Sequence, residues 1–277
     1  MFLNFWIYVR VKMTKVKTFK WVCLFLTLVL LTGTSEARAL ESVYVFPGGS
    51  IQNAVDAALP GTTIIVKPGV YSESVQVNQN NLTIVTESKR SENTRIEGND
   101  SKSNLFEITA NNVTISGFSI TGSKCGIYLK NAQNCTVIGN NISKNEIGIC
   151  LSKSKNNTLS DNILYSNIDG VKLLSSSGNR IYNNYFNNEN NAQENKLNIW
   201  NGTRGNYWSD YVGTDIDGDG IGDTEYVINR QIRSVDYKPL MDFIPESPIL
   251  PEAIFTSNVT VGYAPLTVEF TDHSENP

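Results

Sequence analysis

Short segments that alternate between apolar and polar positions recur in the middle of the chain at a step of 22 residues. The segments GIYL at 126–129, GICL at 148–151 and GVKL at 170–173 show this step. Further columns keep it: Thr114, Thr136, Thr158 and Arg180; Ile115, Val137, Leu159 and Ile181; Ile120, Ile142, Leu164 and Phe186; Asn112, Asn134 and Asn156; Asn140, Asn162 and Asn184. A unit of this length is too short for a helix pair and is typical of one coil of a right-handed parallel β-helix.

Asparagine occupies positions that such a coil needs for its corners. The chain holds 33 asparagines, 20 of them between Asn131 and Asn206. Asn and Gly accept positive φ or bond their own backbone at little cost. Because coils stack about 4.8 Å apart, aligned asparagines can form side-chain amide ladders and aligned apolar residues a continuous core. We therefore attribute most of these asparagines to architecture.

A different pattern precedes the repeats. Residues 50–58 (SIQNAVDAA) predict a short amphipathic helix with Ser50 as its N-cap. Residues 60–71 predict a turn, a β-branched strand and a second turn. Since the open end of a β-helix exposes strand edges and core, we expect the helix to cover that end.

The N-terminus has the order of an export signal. Lys15, Lys17 and Lys20 precede the apolar run at 21–31, and Ala37-Arg38-Ala39 follows it. At 11 residues the run is short for a membrane span, which needs about 20. Residues 1–39 are therefore predicted to be a signal peptide, and the protein is predicted to be secreted or at the cell surface. The alternative is that this segment stays uncleaved as a membrane anchor. It would then be the only part of the protein expected to contact the membrane. Met13 is an alternative start.

Charge balance, glycosylation motifs and cysteine count each refine this picture. Residues 40–277 carry 17 basic and 26 acidic side chains, which argues against nucleic acid as a partner. Export gives meaning to N-x-[ST] sequons, which occur at Asn81, Asn99, Asn112, Asn134, Asn141, Asn156, Asn201 and Asn258. Three cysteines remain after the signal, an odd number, so at least one is a free thiol.

The opening and the repeats together carry a resemblance. SIQNAVDAALPGTTIIVKPGVYSESV, LTIV at 82–85 and the Gly-Ile-x-Leu and Asn-Asn coils resemble the NosD-type periplasmic copper-binding and carbohydrate-binding/sugar-hydrolase (CASH) β-helices. The resemblance covers roughly residues 43–240 and implies fold more than activity. The string at 205–228 resembles the element that follows such coils in archaeal cell-surface proteins, where it looks like a C-terminal cap.

That string contains a candidate metal loop. Asp215, Asp217, Asp219 and Asp223 fall at positions 1, 3, 5 and 9 of a calcium-binding pattern with glycine at position 6. Position 12 holds Tyr226 where a bidentate Glu is expected, and no amphipathic helices flank the loop. The alternatives are a loose extracellular-type Ca²⁺ site and an acidic turn without metal.

The expected fold class is therefore all-β: a right-handed parallel β-helix over 43–198 with a short N-terminal capping helix, then a C-terminal cap with the Asp-rich loop over 199–243. Aromatic residues favour the cap over carbohydrate stacking: Trp200, Tyr207, Trp208 and Tyr211. Residues 244–252 predict a Pro-rich linker. Residues 253–277 resemble the first strands of an immunoglobulin-like PKD domain and stop partway through it.

Three functions compete for such a chain. The first is a structural, adhesion or carbohydrate-contacting module of the cell surface, with glycans or envelope proteins as partners. The second is a polysaccharide-active lyase, hydrolase or epimerase, which needs converging carboxylates. Asp161 and Asp169 align with no acids on neighbouring coils. The third is copper handling, which the residues do not support, because the chain after the signal offers one His, one Met and three Cys.

Overall fold

Three parallel sheets wind around one apolar interior, as the 22-residue step predicts. The computed structural model describes residues 42–88, 91–98 and 102–243, and the backbone of 255–257 and 270–272. The predicted signal peptide and linker lie outside the described residues. Between residues 63 and 194 each lap of the chain adds one strand to each sheet, so the fold is a parallel β-helix.

The strands are numbered in chain order and form three faces. Face 1 contains β1 Ser42–Val45, β2 Thr63–Val66, β5 Thr83–Thr86, β8 Thr114–Ser116, β11 Thr136–Ile138, β14 Thr158–Ser160 and β17 Arg180–Tyr182. Face 2 contains β4 Val75–Val77, β7 Asn104–Ile108, β10 Cys125–Lys130, β13 Ile147–Ser152, β16 Asp169–Leu174 and β19 Asn190–Glu194. Face 3 contains β3 Gly69–Tyr71, β6 Thr94–Glu97, β9 Ser119–Thr121, β12 Asn141–Ser143, β15 Ile163–Tyr165, β18 Tyr185–Asn187 and β20 Tyr207–Trp208.

The strand register confirms the repeat. Thr136 pairs with Thr114 on one side and with Thr158 on the other. On face 2, Ile149 pairs with Ile127 and with Val171, which stacks the three repeat glycines in one file. Equal sequence positions therefore lie directly above one another.

The first laps have other lengths, which is why they show no 22-residue step. Along face 1, Ser42 pairs with Thr63, and Thr63 pairs with Thr83. Thr83 then pairs with Thr114, across a longer lap that contains the 3-10 turn Ser91–Asn93. Insertions between strands thus change the lap length without breaking the sheet.

The helix expected before the first full lap is present. α1 spans Ile51–Ala57, and the Ser50 side chain accepts from the backbone N–H of Asn53. The Glu73 carboxylate accepts from the N–H of Ile51 at 2.7 Å and from the Ser50 hydroxyl at 2.8 Å. Ile51 and Val55 are buried. A second polar cap therefore anchors α1 to the loop before β4.

The tube interior is aliphatic for most of its length and aromatic near its C-terminal end. The repeat columns of Ile115 and Ile120 are buried over their whole length. Beyond residue 198 the tube continues, since β20 pairs with β18. Trp208 stacks on Phe186 with ring centroids 4.6 Å apart, and Tyr226 stacks on Trp208 at 4.1 Å.

Three amide ladders run through the corners. In the one predicted from sequence, the backbone N–H and Nδ2 of Asn140 both donate to Oδ1 of Asn162, each at 3.1 Å. The pattern repeats to Asn184 and Asn206. The other two ladders contain Asn145, Asn167, Asn188 and Asn191, and Asn157, Asn179 and Asn198. Asn112, Asn134 and Asn156, by contrast, are not buried rungs.

Each ladder ends on a carboxyl group. Asn206 donates to Asp236, Asn191 donates to Asp210, and Asn198 donates to Glu194. A carboxyl oxygen takes the place of the next amide oxygen without needing a partner for an NH₂ group. Burial raises the pKa of Asp236 and of Glu194, so ionisation of these two groups offsets part of the stability that the ladder ends supply.

After the tube come two short antiparallel pairs. β21 Tyr226–Asn229 pairs with β22 Ser234–Asp236. Further along the chain the structure describes β23 Phe255–Ser257 paired with β24 Phe270–Asp272, and the predicted PKD-like domain stays a prediction. Across the described ranges, no helix has the length and apolar character needed to span a bilayer.

Candidate functional site

Four sequon asparagines form one exposed file along a corner of the tube. Asn81, Asn112, Asn134 and Asn156 lie on successive laps, two residues before paired positions of face 1. All four have positive φ, between 56° and 61°, and all are exposed. We call these residues the sequon file. Their left-handed backbone explains why asparagine suits this corner.

The threonines of the same sequons form a second file on the outer side of face 1. Thr83, Thr114, Thr136 and Thr158 are each partly exposed and in register. An asparagine at the corner followed two residues later by a threonine of face 1 therefore gives N-x-T on four successive laps, whereas Gly61 and Gly178 occupy this corner on the laps before and after them. The architecture itself generates an ordered array of glycan acceptors.

The remaining sequons are less favourable or not described. The side-chain oxygen of Asn141 is buried without a hydrogen-bond partner, and Asn201 is half-buried. Asn99 and Asn258 lie outside the described residues. The sequon file is therefore the best exposed acceptor set in the described part of the chain.

The aspartates of the candidate metal loop converge in part. One side-chain oxygen from each of Asp215, Asp217 and Asp219 lies within 4.8 Å of the others. Elsewhere in the described ranges no group of three or more acidic, cysteine or histidine ligands comes together. Asp223 does not join this group, and its Oδ2 accepts from the N–H of Ile216 at 2.7 Å.

Backbone amides hold the loop in shape. The Asp215 carboxylate accepts from the N–H of Gly218 at 2.7 Å and of Gly220 at 2.8 Å. Gly218 and Gly220 have φ of 75° and 81° with no atom near their missing side chains. The curl of the loop therefore depends on glycine at these two positions.

The charges within the loop repel one another. The bond from Gly220 and other backbone bonds lower the pKa of Asp215. For Asp217, the bond from the Asp219 N–H lowers the pKa, but the charge of Asp219 and other effects outweigh it, so the pKa is raised. A cation between these oxygens would relieve that repulsion.

Position 12 of the calcium pattern is used for packing. Tyr226 stacks on Trp208, and its hydroxyl donates to both oxygens of Asp210 at 3.1 Å. Burial raises the pKa of Tyr226. The loop therefore has no acidic ligand there, in agreement with the sequence.

The aromatic residues near the end of the tube are mostly enclosed. Trp200 and Trp208 are each 1% exposed, which leaves no ring face for a sugar. Tyr207 stacks on Tyr185 with centroids 4.9 Å apart and remains half-buried. Packing thus accounts for the two tryptophans.

The acids on the coils stay apart. Asp161 contacts the side-chain amide of Asn183, and Asp169 accepts from Lys172 at 2.9 Å. Asp169 also accepts from the amide of Gln193 at 2.8 Å. Both side chains thus have non-acidic partners.

Copper does not fit the soft donors of the described residues. Cys125 and Cys150 belong to one small cluster apart from the core, whereas Cys135 lies in the core and its thiol donates to the Ala110 carbonyl at 3.3 Å. Met241 lies beside the aspartate loop, where its N–H donates to Gly220. Three soft ligands do not meet, so we derive no copper chemistry.

Comparison with known proteins places the chain in a family. The family model described as "Periplasmic copper-binding protein (NosD)" matches residues 48–213, more than half of the chain. The chain belongs to the NosD family.

A cell surface glycoprotein of Methanothermus fervidus is 36% identical over 102 residues, which are 36% of this chain and 16% of that protein. The chain thus matches about a sixth of that relative's length. Together with the periplasmic description of the family, this similarity supports an extracellular or envelope location.

Solved structures show distant likenesses. An alginate lyase from Paenibacillus sp. strain FPU-7 has a TM-score of 0.49 at 16% identity, over 61% of this chain and 65% of that one. The catalytic domain of an α-1,3-glucanase has a TM-score of 0.48 at 22% identity, over 61% and 34%. Neither likeness bears on activity.

Proposed function

We propose that this chain is an exported glycoprotein of the cell surface whose β-helix is a rigid structural or adhesion module, with surface glycans or other envelope proteins as partners. The observation that carries the proposal is the sequon file, since four acceptor asparagines stand exposed on one corner. Membership of the NosD family and the glycoprotein relative support the location. Residues 1–39 would supply the export signal.

Glycosylation of the sequon file is the first prediction. Laps lie about 4.8 Å apart, so glycans on neighbouring asparagines of the sequon file would collide. We therefore expect some but not all four of these asparagines to carry a glycan. Thr136→Val removes the Asn134 sequon and keeps a β-branched strand residue. The protein should be purified from cells that export and N-glycosylate proteins, and its glycopeptides mapped by mass spectrometry.

Two controls make this experiment decisive. Thr136→Ser keeps the sequon and should keep the occupancy of Asn134 if that site is used. A membrane-impermeant biotin reagent applied to intact cells should label the protein. Unmodified asparagines throughout the file would refute its role as a glycan array, and a protein that stays unlabelled inside the cell would refute the surface location.

We also infer that the aspartate loop binds Ca²⁺ weakly. Asp215, Asp217 and Asp219 would supply the first ligands, with Asp223 as a fourth if it releases the Ile216 N–H. Without a bidentate Glu the affinity should be that of extracellular sites, about 10⁻⁴ to 10⁻³ M. Binding would stiffen the segment that lies beyond the last coil, where we place the C-terminal cap.

Calcium titration tests this inference. At 10 mM Ca²⁺ the melting temperature should rise by about 3–8 °C, because only the folded loop presents converging oxygens. The double variant Asp217→Asn, Asp219→Asn should lose the rise, whereas Glu189→Gln, which removes an exposed acid elsewhere, should keep it. An unchanged melting temperature in the native protein would eliminate the site.

A further inference from the structure

The hairpin formed by β21 and β22 has a side that packs on the tube and a side that points away from it. Tyr226 pairs with Asp236 on the inner side, where Tyr226 stacks on Trp208 and Asp236 accepts from the Trp208 Nε1 at 3.1 Å. The next pair, Val227 and Val235, lies on the opposite side, because side chains alternate along a strand. We call this opposite side the outer side of the hairpin.

The outer side contains a cavity of about 370 Å³, within the range of about 300–1,000 Å³ that is usual for small-molecule sites. Its lining combines two arginines, one carboxylate, one aromatic ring and two aliphatic side chains: Arg230, Arg233, Glu225, Tyr237, Val227 and Val235. Tyr237 is 63% exposed, so its ring is open to solvent. The cavity therefore offers an apolar surface together with groups of both charges.

A tight turn brings the two arginines together. Arg230 and Arg233 are the first and last residues of the turn between β21 and β22, and the Arg233 N–H donates to the Arg230 carbonyl at 3.4 Å. The Cα atoms at the ends of such a turn lie within about 7 Å of each other. Neither guanidinium has an ion-pair partner among the described residues. Two planar cations beside one cavity suit a ligand with a carboxylate or a sulfate group.

The backbone at Arg233 is not one that arginine favours. Its φ is 55°, in the left-handed region that glycine and asparagine adopt at least cost. Every other non-glycine residue with positive φ in the described ranges lies on the coils, between Asn81 and Asn183. Local structure therefore does not account for an arginine at this position, which indicates a role for its side chain.

The hairpin is fixed to the tube, so the cavity is formed before any ligand arrives. The side-chain amide of Asn229 donates to the Glu194 carbonyl at 2.7 Å. The buried Asp236 accepts from the backbone N–H of Asn206 at 2.7 Å. Since the scaffold is already ordered, binding costs less conformational entropy than it would on a free loop.

A second cavity adjoins the first. Glu225, Val227 and Arg230 line both, and the second cavity, of about 530 Å³, also includes Thr214 and Thr224. Threonine hydroxyls and the Glu225 carboxylate are hydrogen-bond partners for sugar hydroxyls. A linear ligand can thus extend from the arginines into the second cavity.

We propose that the outer side of the hairpin binds an acidic oligosaccharide, an inference that rests on the proposed function with surface glycans as partners. A carboxylate or sulfate of the ligand lies between Arg230 and Arg233, a sugar ring stacks on Tyr237, and Glu225 accepts from sugar hydroxyls. An acidic peptide shares only the first of these contacts, because its acidic side chains offer no hydroxyls to Glu225.

Isothermal titration calorimetry on the full chain tests the proposal, with EDTA present so that Ca²⁺ in the aspartate loop does not contribute. The probes are a tetramer of galacturonic acid, a sulfated galactose tetramer and a neutral galactose tetramer. We expect at least one acidic probe to bind about tenfold more tightly than the neutral probe, because hydrogen bonds between charged groups are stronger than neutral ones. This affinity should fall in about 1 M NaCl, which screens the charges.

Variants of the cavity give a second readout. Arg230→Gln and Arg233→Asn should each weaken binding of the acidic probe about tenfold, and Tyr237→Ala about fivefold. Arg204→Gln, which removes an exposed arginine outside the hairpin, should leave the affinity unchanged. Because asparagine tolerates the φ of residue 233, Arg233→Asn should keep its melting temperature while it loses affinity, which separates binding from folding.

Several results would overturn the proposal. These are equal affinities for the acidic and neutral tetramers, no binding of either acidic probe at about 10 mM, tighter binding of a tetraglutamate peptide, or hairpin variants that bind like the native protein. Surface labelling and glycopeptide mapping do not depend on the hairpin. A labelled, glycosylated protein that fails to bind the acidic probes would therefore refute this inference and leave the proposed surface location intact.

Discussion

Asn162→Ala should destabilise the protein by about 4 kcal/mol, because Asn162 is a buried rung in the middle of a ladder. Its Oδ1 accepts from the backbone N–H of Asn140, and its Nδ2 donates to the Val137 carbonyl at 2.9 Å. Alanine leaves both backbone groups without these bonds in a dry interior and adds a void. The melting temperature should fall by about 8–16 °C.

An exposed asparagine outside the ladders provides the control. Asn187 lies at the end of β18, outside the ladders, where its amide makes one long bond to the Tyr185 hydroxyl at 3.4 Å. Asn187→Ala should change the free energy of unfolding by less than about 0.5 kcal/mol. Equal losses for the two variants in denaturant unfolding would show that the ladder contributes no special stability.

Gly148→Ala should cost roughly 3 kcal/mol, because the glycine file has no room for a side chain. A Cβ at Gly148 would lie 2.7 Å from the Gly170 carbonyl oxygen and 3.0 Å from Leu164. The carbonyl belongs to the next lap, so relief would require the two laps to separate. Thermal unfolding should show a drop of about 6–12 °C.

Gly139 supplies the matched comparison, since glycine suits this position for its positive φ and not for lack of space. Its φ is 66°, and a Cβ there would meet nothing closer than Ser116 at 4.0 Å. Asp161 and Asn183 occupy the same corner on later laps with φ of 57° and 54°. Gly139→Asn should therefore stay within about 1 kcal/mol of the native protein. A larger loss at position 139 than at 148 would contradict the role of the glycine file.

The periodic part of the fold was predictable because stacking converts a constant lap into vertical columns. Residues 114–186 keep a 22-residue step in sequence and in register. The laps before Thr114 were not predictable as laps, since insertions such as the one at Ser91–Asn93 change their length. The helix over Ile51–Ala57 was found because capping is a local signal.

The structural role of each asparagine column was harder to predict from the sequence than the fold. The column of Asn140 was correctly predicted to be a ladder, whereas that of Asn134 turned out to be the left-handed corner. One residue type serves both positions, so composition could not separate them. Two further ladders were missed, and in both the step shortens near the end, as from Asn167 to Asn188.

Side-chain convergence was harder still to anticipate. Side-chain oxygens of Asp215, Asp217 and Asp219 lie within 4.8 Å of one another, whereas Asp223, the fourth predicted ligand, is outside that group, and metal binding by the loop stays a prediction. Cys125 and Cys150 share one small cluster although three positions separate them along neighbouring strands, which the 22-residue columns alone do not indicate.

The ladders have a consequence for how long such a protein can become. Within the ladders the backbone N–H and the side-chain amide of one asparagine donate to the side-chain oxygen of the next, and the final acceptors Asp236, Asp210 and Glu194 are carboxyl groups. Units inserted upstream of those terminators would be bonded like their neighbours. Each added coil would therefore lengthen the β-helix by about 4.8 Å. Duplication of coils can change its length while both of its ends stay the same.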